Sequence, residues 1–393
     1  INDTMGHHTG DLLLKEVGSR LSGCIRETDF VARLGGDEFV VIQTGLHNAD
    51  DAAILARKIA GELSSPYRLG DVEVYSGSSI GISIFPDDAH DQAQLLQNAD
   101  IAMYRAKAAR RDGFEFFTKA LGEHIEGRKR LEDRLRASLE TQRLEVHYQP
   151  QIDLNTWRTT SVEALLRWKD PEMHSVPVSE LIAIAEENGS IIDFGKWILH
   201  AVCQQARDWR KHKLPPFRIA VNLSPLQFRD PGFLDIVRNT LAEYDIEPGC
   251  IEMEITERLL VQDSGVSTSI LRSLKSMGIH ISVDDFGTGY SALSYLRDFP
   301  IDVIKIDQSL VRHLPTRRED VAIASSVIGL AHKLGIKVIA EGVESSEQLA
   351  FLKAQDCTAA QGFLFQPPVS ADELAHLMRH GHWSHMNPAS ASS

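Results

Sequence analysis

Polar side chains break into apolar strand patterns at six places in the later part of the 393-residue chain. Asn222 ends Ile219-Ala220-Val221, Asp284-Asp285 ends Ile279–Val283, and Glu341 ends Val338-Ile339-Ala340. Lys305 stands between Ile304 and Ile306, Glu163 lies within Ser161–Leu166, and Glu254 shares strand parity with Glu252 and Thr256. If these strands end at one face of a sheet, at least four carboxylates, one carboxamide and one lysine meet there. Carboxylates cannot be crowded without neutralisation, so protons or divalent cations must bind. Oxygen-only donors select hard ions, Mg²⁺ or Mn²⁺, over zinc. Two such ions about 3.5–4 Å apart are the usual machinery of phosphodiester hydrolysis, and adjacent Asp284 and Asp285 could let one carboxylate bridge them. Lys305 could orient the attacking water or offset developing charge. Ordinary salt bridges would explain any one of these residues. They do not explain six positions together.

The positioning elements are legible as a strand–helix rhythm from Arg134 onward. Strand candidates are Val146–Gln149, Ser161–Leu166, Arg218–Asn222, Ile251–Thr256, Ile279–Asp284, Val303–Ile306, Lys337–Ala340 and Thr358–Gly362. Helical patterns separate most of them, among them Ile191–Lys211, Ser264–Met277 and Asp320–Leu334. Eight strands in about 250 residues predict a (β/α)8 barrel, whose active sites form at the C-terminal strand ends. A doubly wound sheet is the alternative, since alternation alone does not close a barrel.

A different style precedes residue 118. Phe30–Leu34 and Phe39–Ile42 flank Gly35-Gly36-Asp37-Glu38, and Val72–Phe85 alternates with Val72, Val74, Ile80, Ile82 and Ile84 at even positions. Helical patterns cover Asp11–Ser22, Ala49–Ser64 and Gln92–Ala109. The mixture predicts an α+β sandwich with helices on an antiparallel sheet. Ile125, Leu131, Leu135 and Leu139 then predict an amphipathic connecting helix. The expected domains are 1–118, a helical linker at 119–133, 134–382, and a flexible tail at 383–393.

Composition narrows the function classes. Hydrophobic residues make up 43% and charged residues 24%, which argues against a disordered, collagen-like or disulfide-scaffold protein. No apolar run approaches the roughly 20 residues of a membrane helix. A net charge of −14 without a basic run excludes a nucleic-acid polymer as the expected partner. Cys24, Cys203, Cys250 and Cys357 stand far apart, which predicts free thiols in a reducing cytoplasm. The chain opens at Ile1 inside a patterned segment. We read it as a piece of a longer parent with an upstream sensor and, as one option, a tether to the inner membrane.

Glu163-Ala164-Leu165-Leu166-Arg167-Trp168 resembles the signature of the EAL family of cyclic-di-GMP phosphodiesterases. The resemblance spans about Arg134 to Met378 and rests on several motifs in order. They are Tyr148-Gln149-Pro150, Val221-Asn222-Leu223-Ser224, Glu254-Ile255-Thr256-Glu257, Asp284-Asp285-Phe286-Gly287-Thr288-Gly289-Tyr290-Ser291, Lys305-Ile306-Asp307, Ala340-Glu341-Gly342-Val343-Glu344 and Gln361-Gly362-Phe363. It implies metal ligation by Glu163, Asn222, Glu254, Asp284 and Asp285, two Mg²⁺ or Mn²⁺ ions, and the linear product pGpG. Glu163, Lys305, Glu341 and Asp285 would be catalytic. Gln149, Leu165, Arg167, Asn222 and Gln361 would line the substrate side, with Glu257 anchoring the Asp284–Tyr290 loop. That loop links metal binding to dimerisation in the family, so a homodimer through this domain is expected. No metal or base position departs from the family's pattern, as happens in EAL domains that bind without cutting.

The first region resembles the GGDEF diguanylate cyclase family, which implies a nucleotidyl-cyclase-like α+β domain ahead of the α/β, TIM-like EAL barrel. Asn2-Asp3, Gly6-His7 and Gly10-Asp11 match its NDxxGHxxGD segment, implying guanine recognition of GTP by Asn2 and Asp11. Asp37 would ligate Mg²⁺, with Glu38 beside the reacting 3′-hydroxyl. Lys107 and Arg111 are four apart on one helical face and suited to a triphosphate. Arg26 and Asp29 match the family's RxxD product-inhibition site. Two departures weaken the cyclase reading. The family's first strand, which carries a metal-binding aspartate, precedes this sequence, and its GRN reads Arg110-Arg111-Asp112. A hydrolase with a regulatory GGDEF domain leads, ahead of a cyclase-dominant parent and a non-catalytic receptor. His7-His8 and the His380–His385 group carry no expected role, and Trp197 and Trp209 are expected in the core or an interface rather than as stacking platforms.

Overall fold

The structure is a computed structural model that describes residues 7–46, 48–69, 72–108, 113–141, 143–170, 173, 176–261, 264–287, 299–380 and 383. Asn2, Arg110–Asp112, Thr288–Ser291 and, Trp383 apart, the tail lie outside these residues, as do the side chains of His7, His8, His380, His382 and His385. Two compact units divide the chain at Arg130 and Leu131. Among the described residues no helix is long and apolar enough to cross a membrane.

Among its described residues the first unit holds helices α1 (His7–Cys24), α2 (Ala49–Ser64) and α3 (Gln92–Ala108) with three two-stranded sheets. Strands β1 (Phe30–Gly35) and β2 (Glu38–Ile42) form an antiparallel hairpin, as do β3 (Tyr67–Leu69) and β4 (Val72–Val74). The third pair corrects the expectation of one antiparallel sheet, because β5 (Ser79–Ile82) and β6 (Gly113–Phe116) run parallel. The connection between them is α3, long enough for a crossover, and period-two alternation carries no information on strand direction. Gly81 lets β5 reach the backbone of α3: a Cβ there would sit 1.9 Å from the Ala99 carbonyl oxygen. The apolar interior is small, centred on Leu21, Cys24, Ile59 and Leu63. Arg20 closes the C-terminus of α2 by donating to the carbonyls of Glu62, Ser65 and Pro66 while stacking 3.8 Å from the Tyr67 ring.

Helix α4 (Lys119–Glu140) leads into the second unit, where buried Leu135 joins Trp168, Leu181, Ile184 and Phe194. There, eight strands close a barrel: β7 (Leu144–Asp153), β8 (Thr159–Trp168), β9 (Arg218–Asn222), β10 (Ile251–Thr256), β11 (His280–Phe286), β12 (Val303–Ile306), β13 (Lys337–Ala340) and β14 (Ala359–Ala360). Closure excludes the doubly wound alternative. Every neighbouring pair is parallel except those of β7, which runs antiparallel to β8 and β14. The cause is the short connection from Asp153 to Arg158. Asp153 Oδ1 accepts from the Asn155 and Thr156 amides, and its carbonyl accepts from Trp157 at φ 56°. So tight a turn permits only a hairpin.

Alternation divides each strand between two cores. Ile255, Val283, Ile304, Val338 and Ala360 pack outward into the large apolar cluster, whereas Val303, Ile339 and Ala359 form a separate plug. Lys305 shares parity with Val303, so it faces the barrel interior and is fully buried. Trp209 belongs to the large cluster, edge-on to Tyr148 at 4.8 Å, and Trp197 packs against the cluster around Trp168.

Candidate active site

The same parity that buries Lys305 brings four carboxylates within 3.5 Å of its ammonium. Glu163 stands level with Ala220, Asn222 with Glu254, Glu254 with Ser282, and Thr256 with Asp284. The Lys305 Nζ donates to Glu254 Oε2 at 2.7 Å and lies 2.6 Å from Glu341 Oε1. Glu163 Oε2 and Asp284 Oδ1 follow at 3.4 and 3.5 Å. Glu254 is 1% exposed, so its charge has no water to lean on.

A β-bulge supplies the fifth. Val283 pairs with Ile304 and Phe286 with Ile306, which leaves Asp284 and Asp285 opposite Lys305 alone. The extra residue takes a left-handed conformation, Asp285 φ 56°, and interrupts the alternation that would turn adjacent side chains to opposite faces. Asp285 is the more open of the two. Burial, then the charges of Asp284 and Asp307, push its carboxyl up to about 6.

Carboxamides orient Glu163. Asn222 Nδ2 donates to Glu163 Oε1 at 2.8 Å, and Gln361 Nε2 donates to Glu163 Oε2 at 2.7 Å and Gln149 Oε1 at 2.9 Å. Gln151 Nε2 donates in turn to Gln361 Oε1 at 2.9 Å, and the Ser161 hydroxyl donates to Gln151. Gln149 Nε2 donates to the Gln366 carbonyl. Gln151, Ser161 and Asp307 were not among the sequence candidates. The parity of Gln149 with Gln151, and of Ser161 with Glu163, was the signal available.

Electrostatics differ around the ring. Burial disfavours the Glu163 charge, but Lys305 and the hydrogen bonds from Gln361 and Asn222 outweigh it and hold the carboxyl low. Burial raises Glu254 well above the usual range and Glu341 to about 8, each only partly offset by Lys305. Lys305 also suffers from burial, yet Glu163, Glu254 and Glu341 lift it far above an ordinary lysine. One ammonium thus serves more negative charge than it can neutralise.

Among the described residues no three Asp, Glu, His or Cys side chains converge as ligands on one point, because the carboxylates close on Lys305. Their chemistry nevertheless fits a hard divalent cation. The donor set is all oxygen, its charge is under-compensated, and Glu254 Oε1 and Asp284 Oδ1 are buried without a hydrogen-bond partner.

Leu165 and Arg167 follow Glu163 on the same face of β8 and are half-buried; burial lowers the Arg167 guanidinium from its usual value. Glu257 Oε2 accepts from the Gly287 amide at 3.2 Å, at the start of the loop that continues outside the described residues. Gly287 itself has φ +99°, and a Cβ there would lie 2.6 Å from Leu310 Cδ1. In the first unit Asp37 occupies the β1–β2 turn, Glu38 opens β2, Asp11 lies on α1 and Lys107 near the end of α3, all exposed. Arg26 is exposed, but Asp29 is buried, accepting from the Arg26 and Thr44 amides. Asn2 and Arg111 lie outside the described residues.

Residues 132–368 match the family described as EAL domain, and residues 1–113 match the diguanylate cyclase, GGDEF domain. The bifunctional diguanylate cyclase/cyclic di-GMP phosphodiesterase MucR of Pseudomonas aeruginosa is 41% identical over 374 residues, covering 95% of this chain and 54% of its own. Signaling protein YkoW of Bacillus subtilis is 38% identical over 375 residues, covering 95% of this chain and 47% of its own. The chain therefore spans about half the length of these curated relatives. A solved structure described as the PaMucR phosphodiesterase in complex with c-di-GMP superposes with a TM-score of 0.60 at 40% identity, over 62% of this chain and 99% of that one. The chain belongs to the EAL domain family, with a GGDEF domain ahead of its barrel.

Proposed function

We propose that the barrel hydrolyses cyclic-di-GMP to linear pGpG. The observation that carries this reading is the ring of carboxylates around Lys305, with buried oxygens left over for cations. Relatives named as cyclic di-GMP phosphodiesterases, PdeR of Escherichia coli among them at 37% identity, support the substrate. EAL phosphodiesterases are in general divalent-metal enzymes. Glu163, Asn222, Glu254, Asp284 and Asp285 would hold two ions, Mg²⁺ or Mn²⁺. Ions held there would supply Lewis acidity for activating water and for stabilising charge on the phosphoryl oxygens.

The chain's own residues do the rest. Gln361 and Asn222 fix both oxygens of Glu163, so its lone pairs keep one orientation. Lys305 and Glu341, whose Nζ and Oε1 lie 2.6 Å apart, would position the attacking water. Water oxygen bonds to phosphorus and the P–O3′ bond breaks. The 3′-oxygen leaves as a hydroxyl, giving a 5′-phosphate end. Gln149, Leu165 and Arg167 contact the dinucleotide beside this centre, and Glu257 anchors the loop after β11.

The GGDEF region is read as a regulator that binds GTP-Mg through Asn2, Asp11, Asp37, Glu38, Lys107 and Arg111, with Arg26 and Asp29 as a product site. In a longer parent it could act as the cyclase. A homodimer through the barrel, an upstream sensor and a cytoplasmic setting complete the proposal; four free cysteines support the last. The test is product analysis after incubating the chain with cyclic-di-GMP and Mg²⁺ or Mn²⁺. We expect pGpG that disappears in Glu163→Ala and in metal-free samples. Binding without turnover in either metal would overturn the hydrolase reading in favour of a receptor.

A further inference from the structure

Beneath the carboxylates, buried neutral side chains join into one directed chain of hydrogen bonds. Register sets Gln149 opposite Glu163 and, deeper on the same face of the β7–β8 hairpin, Gln151 opposite Ser161. Gln361 follows β14, across the seam where that strand meets β7. The Ser161 hydroxyl donates to Gln151 Oε1, and Gln151 Nε2 donates to Gln361 Oε1. Gln361 Nε2 then donates twice, to Glu163 Oε2 and to Gln149 Oε1, and Gln149 Nε2 ends on the Gln366 carbonyl. The chain forks at Gln361. One branch reaches the carboxylate read as a metal ligand, the other the carboxamide read as a substrate contact.

Only one polarity satisfies this chain. An ionised Glu163 accepts and cannot donate, so Gln361 must present Nε2 to it. Its Oε1 is thereby turned away and needs a donor, which Gln151 Nε2 supplies at 2.9 Å. Gln151 Oε1 has the same need one step on, and the Ser161 hydroxyl rotates to meet it. Turning the Gln151 carboxamide over would set its oxygen against that of Gln361. No polar atom of Ser161, Gln151, Gln361 or Gln149 is left buried without a partner, in contrast to Glu254 Oε1 and Asp284 Oδ1. We propose that Ser161 and Gln151 are positioning residues that fix the orientation of the Gln361 carboxamide, and through it both Glu163 for the metal and Gln149 for the dinucleotide.

Neither residue meets a ligand itself. Gln151 is 0% and Ser161 1% exposed, so any effect they have on binding passes through Gln361. Asn222 holds Glu163 Oε1 independently. Loosening Gln361 therefore frees one carboxylate oxygen while the other stays tethered, and the carboxylate swings about that tether. Partners behind a metal ligand act on affinity in this way, by restricting how the ligand is presented.

This inference rests on the cyclic-di-GMP reading for its substrate branch. The experiment titrates Mn²⁺ into the whole chain without nucleotide, following loss of the free-ion signal by electron paramagnetic resonance, and then measures KM and kcat for cyclic-di-GMP. The Kd for Mn²⁺ should rise about tenfold in Gln151→Met and about threefold in Ser161→Ala. At saturating Mn²⁺ the KM for cyclic-di-GMP should remain raised, because added metal does not re-anchor Gln149. In a Gln361→Ala background, Ser161→Ala should change the Mn²⁺ Kd no further. A merely structural serine would lower stability in both backgrounds and leave the Mn²⁺ Kd alone. Should Gln151→Met fail to fold, Ser161→Ala, which removes one oxygen atom, decides by the same titration. Parent values of Kd and KM in Ser161→Ala, or an equal effect with and without Gln361, would overturn the relay and leave the hydrolase standing. Mn²⁺ binding weakened as expected, with no turnover of cyclic-di-GMP by the parent chain, would overturn the hydrolase and leave the metal branch standing.

Discussion

The two regions use the same residue types in opposite settings. In the first unit Asp37, on the turn of a two-stranded hairpin, and Glu38, at the start of its second strand, are both exposed. In the barrel Glu163, Glu254 and Glu341 share one buried ammonium, with a closed sheet behind them. A solvated carboxylate waits for whatever ligand brings its own cation. A buried one has a charge debt that is settled by Lys305, by a proton or by a metal. Sheet closure, more than residue identity, separates a turn that could touch nucleotide from a site organised before anything binds.

The largest effect should come from removing the shared cation. Lys305→Met leaves the carboxylates of Glu163, Glu254 and Glu341 facing one another in the barrel. We expect a loss of about 3–5 kcal/mol, measurable by urea unfolding, together with loss of turnover. A variant as stable as the parent would show that the carboxylates had taken protons at no cost. Next, Gln361→Ala strands the Gln151 and Gln149 carboxamides and frees one oxygen of Glu163. A stability loss of about 1–3 kcal/mol is expected, with kcat falling more than KM rises.

Gly81→Ala tests the other side of the contrast. Its Cβ cannot coexist with the Ala99 carbonyl, so β5 must separate from α3. Protease cleavage should appear within the first unit, while the barrel retains its unfolding transition. Loss of both transitions would show that the two units fold as one. The smallest effect belongs to Asp29, whose carboxyl is held below its usual value by the Thr44 and Arg26 amides. A depressed carboxyl contributes stability above its unfolded pKa and loses it as pH falls through the folded value. Asp29→Ala should therefore lower the first unit's melting temperature at neutral pH and converge on the parent in strong acid.

Much of the barrel was legible because its strands are short apolar runs with abrupt polar ends. Arg218–Asn222, Ile251–Thr256, Val303–Ile306 and Lys337–Ala340 begin and end where the sequence predicts. Lys305 stood out for the same reason, a charge in an apolar run. Other features are absent from such patterns. Alternation does not encode direction, so the parallel β5–β6 pair was not legible, and the reversed β7 shows only in the turn chemistry of Asp153–Thr156. The bulge at Asp284-Asp285 depends on how β11 registers with β12, a property of two strands and of neither alone. Gln151 read as one polar residue in a mixed strand. Only closure shows that it supports Gln361 from the far side of the seam.

The reversed first strand also decides where the chain meets its barrel. In an all-parallel barrel the polypeptide enters each strand from the floor, so an upstream segment attaches opposite the chemistry. Here β7 runs downward, and Leu144, the first residue after α4 in any strand, is level with Trp168 at the top of β8. Glu145 and His147 come next, before Gln149 is reached. The chain thus reaches the end of the barrel that carries the carboxylates before it reaches the floor. The hairpin therefore makes the N-terminal connection an address on the working face.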